Sequence, residues 1–260
     1  MSFLRAFEED GIAFPIPVLD ADEVRKYRSA FEHLELLLGG KKQNLSTVHL
    51  HFDWARELVA HPAVLDAVEP LLGPDLLVLS TLILNKHPHD PAFVGWHQDG
   101  TYWNLHSAPT ASAWIALTDS TRANGCMRVI PGSHRETMLP HECTYAENSL
   151  LGRGEQVAAE VDESRAIDVE LRAGQMSIHQ NAILHSSPPN GSDHRRIGFI
   201  IRFVTPEFAH ATAPVLLARG RAEGDRMELW EAPPPTDVKR AIAEREAYVE
   251  AMAAKPAESR

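Results

Sequence analysis

Residues 76–84 have the sequence LLVLSTLIL and predict a buried strand, since a short apolar run between turn residues is typical of one. Residues 197–204, IGFIIRFV, form a second run of this kind, and further short runs lie at 112–117, 127–130, 166–171 and 175–179. Turn residues separate the runs and no helical pattern alternates with them. The sequence therefore favours an antiparallel sandwich or jelly roll over a doubly wound parallel sheet.

Helical patterns flank these strands. In residues 20–38 apolar side chains recur every three or four positions, and Gly39-Gly40 ends the pattern. A second helical stretch covers 54–72 and is broken at Pro62, and a charged helix is predicted near 237–253. The chain is therefore predicted to be mainly β with a helical layer.

The length of 260 residues fits one domain. We divide this predicted domain into an N-terminal helical layer (1–74), a jelly-roll core (75–205) and a C-terminal extension with a helix (206–260).

The amino-acid composition limits which binding partners and which cellular compartment we expect. The chain has 25 Lys and Arg against 36 Asp and Glu, a net charge of -11 with no basic stripe, so nucleic acid is not an expected partner. Two cysteines outside any metal-binding spacing fit a reducing cytosol. An acidic N-terminal stretch and the lack of a long apolar run disfavour secretion and membrane insertion, so we expect a cytoplasmic protein.

Residues 95–103, GWHQDGTYW, contain the pattern His-x-Asp at His97 and Asp99. Alternate residues of an extended segment point to the same side, so both side chains could bind one metal ion. One further His would complete a facial triad of two imidazoles and a carboxylate, which leaves three positions for a bidentate 2-oxo acid and O2. By itself the pattern also occurs by chance.

The third ligand has two candidates. His185 follows the apolar residues Ile183-Leu184, where a buried imidazole needs a hydrogen-bonding partner or a metal ion. His179 is its main competitor. Arg195-Arg196 then begins a strand, and an Arg beside a metal pocket could bind a carboxylate through two parallel hydrogen bonds.

Three segments together resemble the phytanoyl-CoA dioxygenase family: Trp96-His97-Gln98-Asp99, residues 124–134 (NGCMRVIPGSH) and residues 185–196. The resemblance extends from Glu9-Asp10-Gly11 to about Phe203. It implies a double-stranded β-helix, a cupin-like jelly roll, in which His97, Asp99 and His185 bind Fe(II) and 2-oxoglutarate and O2 are co-substrates. The implied activity is oxidation of an unactivated C–H bond, with 2-oxoglutarate converted to succinate and CO2.

The resemblance also implies roles around the metal. Arg196 should bind the distal carboxylate of 2-oxoglutarate, because the family has an Arg at this distance from the distal His and Gly198 leaves room on the same strand face. Trp114, matching a family tryptophan beside 2-oxoglutarate, would contact it or pack as a core aromatic. Further candidates for the co-substrate pocket are Leu82, Ser187 and His49, and the candidates for the substrate wall are Tyr102 and Trp103.

Several outcomes stay open in the sequence. Hydroxylation is favoured over halogenation because related halogenases lack the ligand carboxylate that Asp99 supplies; desaturation, epimerisation and cyclisation use the same cofactors. An isomerase or a non-catalytic cupin-like metal protein is the alternative from another class, and neither would need Arg196. The expected substrate is a small metabolite or a biosynthetic intermediate, and the oligomeric state is not determined.

Overall fold

The computed structural model describes residues 3–40, 44–103, 110–207, 214–222 and 227–254, with the backbone alone at 102–103. The helices are α1 Phe3–Asp10, α2 Ala21–Leu37, α3 Val48–His51, α4 Asp53–Val59, α5 Pro62–Leu72, α6 Gly100–Trp103 and α7 Val238–Ala254. The strands are β1 Ile12–Pro17, β2 Asn44–Ser46, β3 Leu76–Lys86, β4 Val94–His97, β5 Thr110–Ala116, β6 Met127–Val129, β7 His141–Cys143, β8 Glu155–Val157, β9 Ile167–Val169, β10 Gln175–His179, β11 His185–Ser187, β12 Arg196–Val204 and β13 Leu216–Arg219.

Two antiparallel sheets form the centre of the fold. The larger has the strand order β1-β10-β5-β12-β3-β13, with β2 also paired to β3, and the smaller has the order β4-β11-β6-β9. Strands β7 and β8 form a separate pair. The helical layer and one face of the large sheet share one apolar core, whereas side chains of both sheets form a second core between them. The mainly β jelly-roll architecture with a helical layer is therefore confirmed.

Strand β12 shows how alternation divides the two cores. Ile197, Phe199 and Ile201 lie in the core shared with the helices. Arg196, Ile200 and Arg202 line a cavity between the sheets, because successive side chains of a strand point to opposite faces. The strand predicted from its apolar run therefore carries two buried or half-buried cations into the interior.

The predicted helix at 20–38 is present as α2, where Asp20 caps the N-terminus by accepting hydrogen bonds from the backbone N–H groups of Asp22 and Glu23. The stretch 54–72, predicted as one helical segment broken at Pro62, forms two helices, α4 and α5, and Pro62 is the first residue of the second. Proline lacks an N–H and disfavours helical geometry at the residue before it, so the first helix ends upstream. Within the described residues, no helix has both the length and the apolarity needed to cross a membrane.

Gly198 lets the Trp114 indole lie against the sheet, and we predict that Gly198→Ala displaces it. A Cβ at residue 198 would lie 2.1 Å from Cζ2 of Trp114, which is closer than atoms can approach. We expect a loss of about 1–3 kcal/mol in the free energy of unfolding, measured by denaturant titration.

Gly191→Ala is the matched control, because the nearest atom to its Cβ would be the Ala123 carbonyl oxygen at 3.8 Å. Equal stability of the two variants would contradict the predicted clash.

Candidate metal and co-substrate site

His97, Asp99 and His185 come together between the two sheets. His97 ends β4 and His185 begins β11, and the two are paired directly across these antiparallel strands. Asp99 follows two residues after His97. All three side chains are buried, and one ligand atom from each lies within 4.8 Å of the others. Among the residues that the structure describes, this is the only such group of three metal-binding side chains.

Backbone carbonyls orient both imidazoles. Nδ1 of His97 lies 2.9 Å from the carbonyl oxygen of Gly95, and Nδ1 of His185 lies 3.0 Å from that of Ile183. Since a carbonyl only accepts, each Nδ1 carries the proton and Nε2 keeps its lone pair for a metal ion. Burial and the neighbouring His97 hold the pKa of His185 well below its usual range, so its ring is neutral, as a ligand must be.

Asp99 is held by charged and polar neighbours. Arg202 donates from Nη2 to Oδ1 at 3.2 Å and from Nε to Oδ2 at 3.3 Å, and Ser112 donates to Oδ2 at 3.2 Å. Burial alone would raise the pKa of Asp99, but the Arg202 charge, and then the neighbouring imidazoles of His179 and His97, hold it well below the usual value. Two imidazoles and one carboxylate fit a divalent iron ion.

His179, the competing ligand, lies at the edge of this group. Its ring centroid is 4.9 Å from that of His185, and its Nε2 is 3.9 Å from Oδ2 of Asp99. The ring is buried and both its nitrogens lack a hydrogen-bond partner among the described residues. Its position beside Asp99, outside the set of three, favours His185 as the third ligand.

The guanidinium of Arg196 is buried, and its three nitrogens differ in their hydrogen bonding. Nη1 donates to Oγ of Ser187 at 2.8 Å and to the Gly125 carbonyl oxygen. Nε and Nη2 find no acceptor in the described part of the chain, and burial lowers the pKa of Arg196 to about 10. Unsatisfied buried donors are costly, so this guanidinium is suited to a ligand carboxylate. The Trp114 ring centroid lies 5.5 Å from its Cζ atom.

Lys86 is a second buried basic side chain at the site, which the sequence analysis missed. It pairs directly with Arg196 across β3 and β12, and it donates to Oγ and the carbonyl oxygen of Ser187, at 2.6 and 3.1 Å, and to the Pro188 carbonyl oxygen. Burial, and then the Arg196 charge, lower the pKa of Lys86 to about 6. Both basic side chains donate to the Ser187 hydroxyl, and with its pKa lowered this far Lys86 would stay charged at neutral pH only beside an anion.

The remaining candidates for the co-substrate pocket and the substrate wall fall into three groups by position. Leu82, Trp114 and Ser187 line the cavity that holds the three candidate ligands and Arg196. His49 is buried and hydrogen-bonded to Thr81 at 2.9 Å, and it lines an adjoining cavity. The backbone of Tyr102 and Trp103 belongs to α6, directly after Asp99, but their side chains fall outside the described residues.

Arg195 points away from the metal cavity. It donates from Nη2 to Oε2 of Glu35, on α2, at 2.9 Å, and its guanidinium lies 5.9 Å from the Phe31 ring centroid. Arg195 and Arg196 therefore face opposite sides of the sheet, as strand alternation predicts. Their roles stay predictions.

A model of the phytanoyl-CoA dioxygenase (PhyH) family matches residues 7–198, more than half of the chain. The chain belongs to the phytanoyl-CoA dioxygenase family. The predicted family is confirmed. A Caenorhabditis elegans member named "Probable phytanoyl-CoA dioxygenase" is 29% identical over 144 residues, which are 53% of this chain and 46% of that protein. The chain spans about half the length of such curated family members.

Two solved structures extend the comparison of this family member. The apo form of ThoJ, a non-haem monooxygenase, is 33% identical, with a TM-score of 0.77 over 97% of this chain and 99% of ThoJ. SnoK, a non-haem α-ketoglutarate-dependent carbocyclase from nogalamycin biosynthesis, is 27% identical, with a TM-score of 0.63 over 78% of this chain and 83% of SnoK. At the level of the family, the predicted enzyme class and its cofactors, iron and 2-oxoglutarate, are confirmed.

The two hydrogen bonds from Arg202 to Asp99 predict that Arg202 affects the affinity for the metal ion. We expect Arg202→Met to weaken Fe(II) or Co(II) binding by about 10- to 100-fold, because loss of a partner that orients a metal ligand has effects of this size. The Asp99 carboxylate would lose two hydrogen bonds and its only pairing guanidinium among the described residues. Equilibrium titration with Co(II), followed by absorption, measures the dissociation constant.

Arg219→Met serves as the control, since Arg219 pairs with Asp66 and Glu69 away from the cavity. Unchanged Co(II) affinity in Arg202→Met would show that Asp99 does not depend on this pair.

Proposed function

We propose that the protein is an Fe(II)- and 2-oxoglutarate-dependent oxygenase that hydroxylates an unactivated C–H bond of a small metabolite or natural-product intermediate. One observation carries the proposal. A buried group of two His and one Asp lies in the same cavity as a buried Arg, two of whose nitrogens have no hydrogen-bond partner among the described residues. A metal site beside a carboxylate site is what a chelating 2-oxo acid requires.

In this proposal His97, Asp99 and His185 hold Fe(II) and leave three positions open. Bound iron supplies the chemistry of O2, in which 2-oxoglutarate is converted to succinate and CO2 as the substrate C–H is oxidised. Arg196 binds the distal carboxylate through Nε and Nη2, while Ser187 and Lys86 hold the guanidinium and its surroundings in place. Trp114 forms a wall that keeps water from this carboxylate.

Hydroxylation is preferred because Asp99 provides a carboxylate where related halogenases have a small side chain. The similarity to ThoJ, which is a monooxygenase, supports this choice. Cyclisation is the second candidate, since SnoK is a carbocyclase on the same fold. An isomerase or a non-catalytic metal protein is disfavoured, because neither would need a buried Arg196 with nitrogens available for a co-substrate carboxylate.

The test is substrate-dependent release of succinate. The protein is incubated with Fe(II), ascorbate, 2-oxoglutarate and members of a metabolite library, and succinate and oxidised products are measured by mass spectrometry. We expect slow succinate release without substrate and faster release with a true substrate, whose product gains one oxygen atom. A product that instead loses two hydrogen atoms and gains a ring would favour cyclisation, and absence of any iron-dependent succinate would contradict the proposal.

A further inference from the structure

A second, larger cavity adjoins the metal cavity. It measures about 410 Å³, against about 50 Å³ for the metal cavity, and it lies within the range of roughly 300–1,000 Å³ that is typical of small-molecule sites. Both cavities are lined by Leu82, Asp99, Leu151 and Arg202. A molecule in the larger cavity would therefore lie directly beside the Asp99 carboxylate.

Ionised groups are scarce in the wall of this larger cavity. Among its described lining residues, Asp99 and Arg202 are the only ionised side chains, and they pair with each other. A carboxylate or phosphate entering the cavity would lose its hydration without gaining an unpaired cation, which is costly. The walls consequently favour an uncharged occupant.

The same walls offer neutral hydrogen-bonding groups that have no partner. Oγ of Ser80 and Nε2 of His49 are both buried, and neither has a hydrogen-bond partner in the described chain. Burial lowers the pKa of His49 to about 3, so its ring is neutral at ordinary pH. Such groups gain most from a ligand with hydroxyl, amide or carbonyl groups.

Helix α7 forms one side of the cavity through Tyr248, Val249 and Met252. The helix is fixed in place: Nε of Arg245 donates to the Ser46 carbonyl oxygen at 2.8 Å, and Ala241 lies in the main core. The Tyr248 ring also contacts His51 and Trp230, with centroids 5.7 and 5.5 Å apart. A fixed side chain in a cavity wall can select substrates by shape.

We propose that this cavity is the substrate site, that it takes uncharged molecules bearing hydroxyl, amide or carbonyl groups, and that Val249 and Met252 of α7 determine their size. The inference rests on the proposed oxygenase function and names its substrate class. It assigns a role to the C-terminal extension, which the sequence left open.

The experiment measures binding without turnover. The protein is loaded with Zn(II), which carries out no redox chemistry. It is also saturated with 2-oxoglutarate, which occupies the proposed carboxylate site at Arg196. Fragments are supplied as matched pairs, each a carboxamide or methyl ester and the corresponding free carboxylate, and their dissociation constants are measured by ligand-observed NMR. Val249→Trp and Met252→Trp fill the cavity, whereas Ala247→Trp and Ala251→Trp place the same side chain on the exposed face of α7.

We expect uncharged fragments to bind the wild-type protein roughly tenfold or more tightly than their carboxylates. Val249→Trp and Met252→Trp should weaken that binding at least about tenfold by occupying the cavity, while the two exposed-face variants bind as the wild type does. Affinity for 2-oxoglutarate should be equal in all five proteins, which also shows that each variant is folded.

The proposal is overturned if carboxylates bind better, if filling the cavity has no effect, or if no uncharged fragment binds at millimolar concentration. Retained binding of 2-oxoglutarate in any of these cases would leave the oxygenase function standing. Loss of 2-oxoglutarate binding by the wild-type protein would instead refute the function itself.

Discussion

His185→Ala is expected to abolish binding of Fe(II) and all 2-oxoglutarate turnover. The variant removes one of three buried ligand atoms that lie within 4.8 Å of one another, and the two remaining side chains cannot complete the set. The effect should exceed the roughly 10- to 100-fold loss that follows removal of a partner outside the ligand set. Metal content after equilibration with Fe(II) under anaerobic conditions, and succinate release, measure the two losses. His97→Ala and Asp99→Ala should behave alike.

His179→Ala is the matched control because it removes a buried imidazole from the same cavity. It should keep bound iron, since His179 is not one of the three converging side chains and its Nε2 lies 3.9 Å from Oδ2 of Asp99. If His179→Ala lost iron and His185→Ala kept it, the third ligand would have been misassigned.

Arg196→Ala is expected to weaken 2-oxoglutarate binding by at least tenfold while iron binding survives. A hydrogen bond to a charged group contributes about 1.5–3 kcal/mol, and the buried Arg196 has two nitrogens, Nε and Nη2, that no described residue accepts from. Arg196→Lys keeps the charge but loses the planar guanidinium, so its affinity should fall between those of the wild type and Arg196→Ala. The KM for 2-oxoglutarate and its dissociation constant, measured with Zn(II), test both variants.

Arg195→Ala provides the internal control. Its guanidinium pairs with the buried Glu35 on the helical side of the sheet, so the variant should lower the melting temperature and leave 2-oxoglutarate affinity unchanged. A large loss of 2-oxoglutarate affinity in Arg195→Ala, with a normal value for Arg196→Ala, would contradict the assigned roles.

Several features of the fold could be predicted from local pattern. The apolar runs at 76–84 and 197–204 became the central strands β3 and β12, because burial on both faces requires continuous apolar sequence. Helix α2 was predicted from its periodicity and from the turn at Gly39-Gly40. Strands of three or four residues, such as β2, β4 and β11, were missed since so few positions carry no periodicity.

The sequence by itself also determined the candidate ligands, since His-x-Asp, a later His and the following Arg occur in a family-specific order. Arg202 was within reach of the same reasoning: it follows Arg196 by six residues, an even number, so both share a strand face.

Only the tertiary structure decided which distant residues meet. The register of β3 and β12 places Lys86 beside Arg196. The structure also distinguishes the two candidates for the third ligand, because His185 is one of the three converging side chains whereas His179 lies beside Asp99. The adjoining cavity depends on α7, which begins at Val238, 139 residues after Asp99 in the chain. Local sequence encodes the direction of side chains along one element, but register, packing and cavities arise from contacts between elements, which no local pattern specifies.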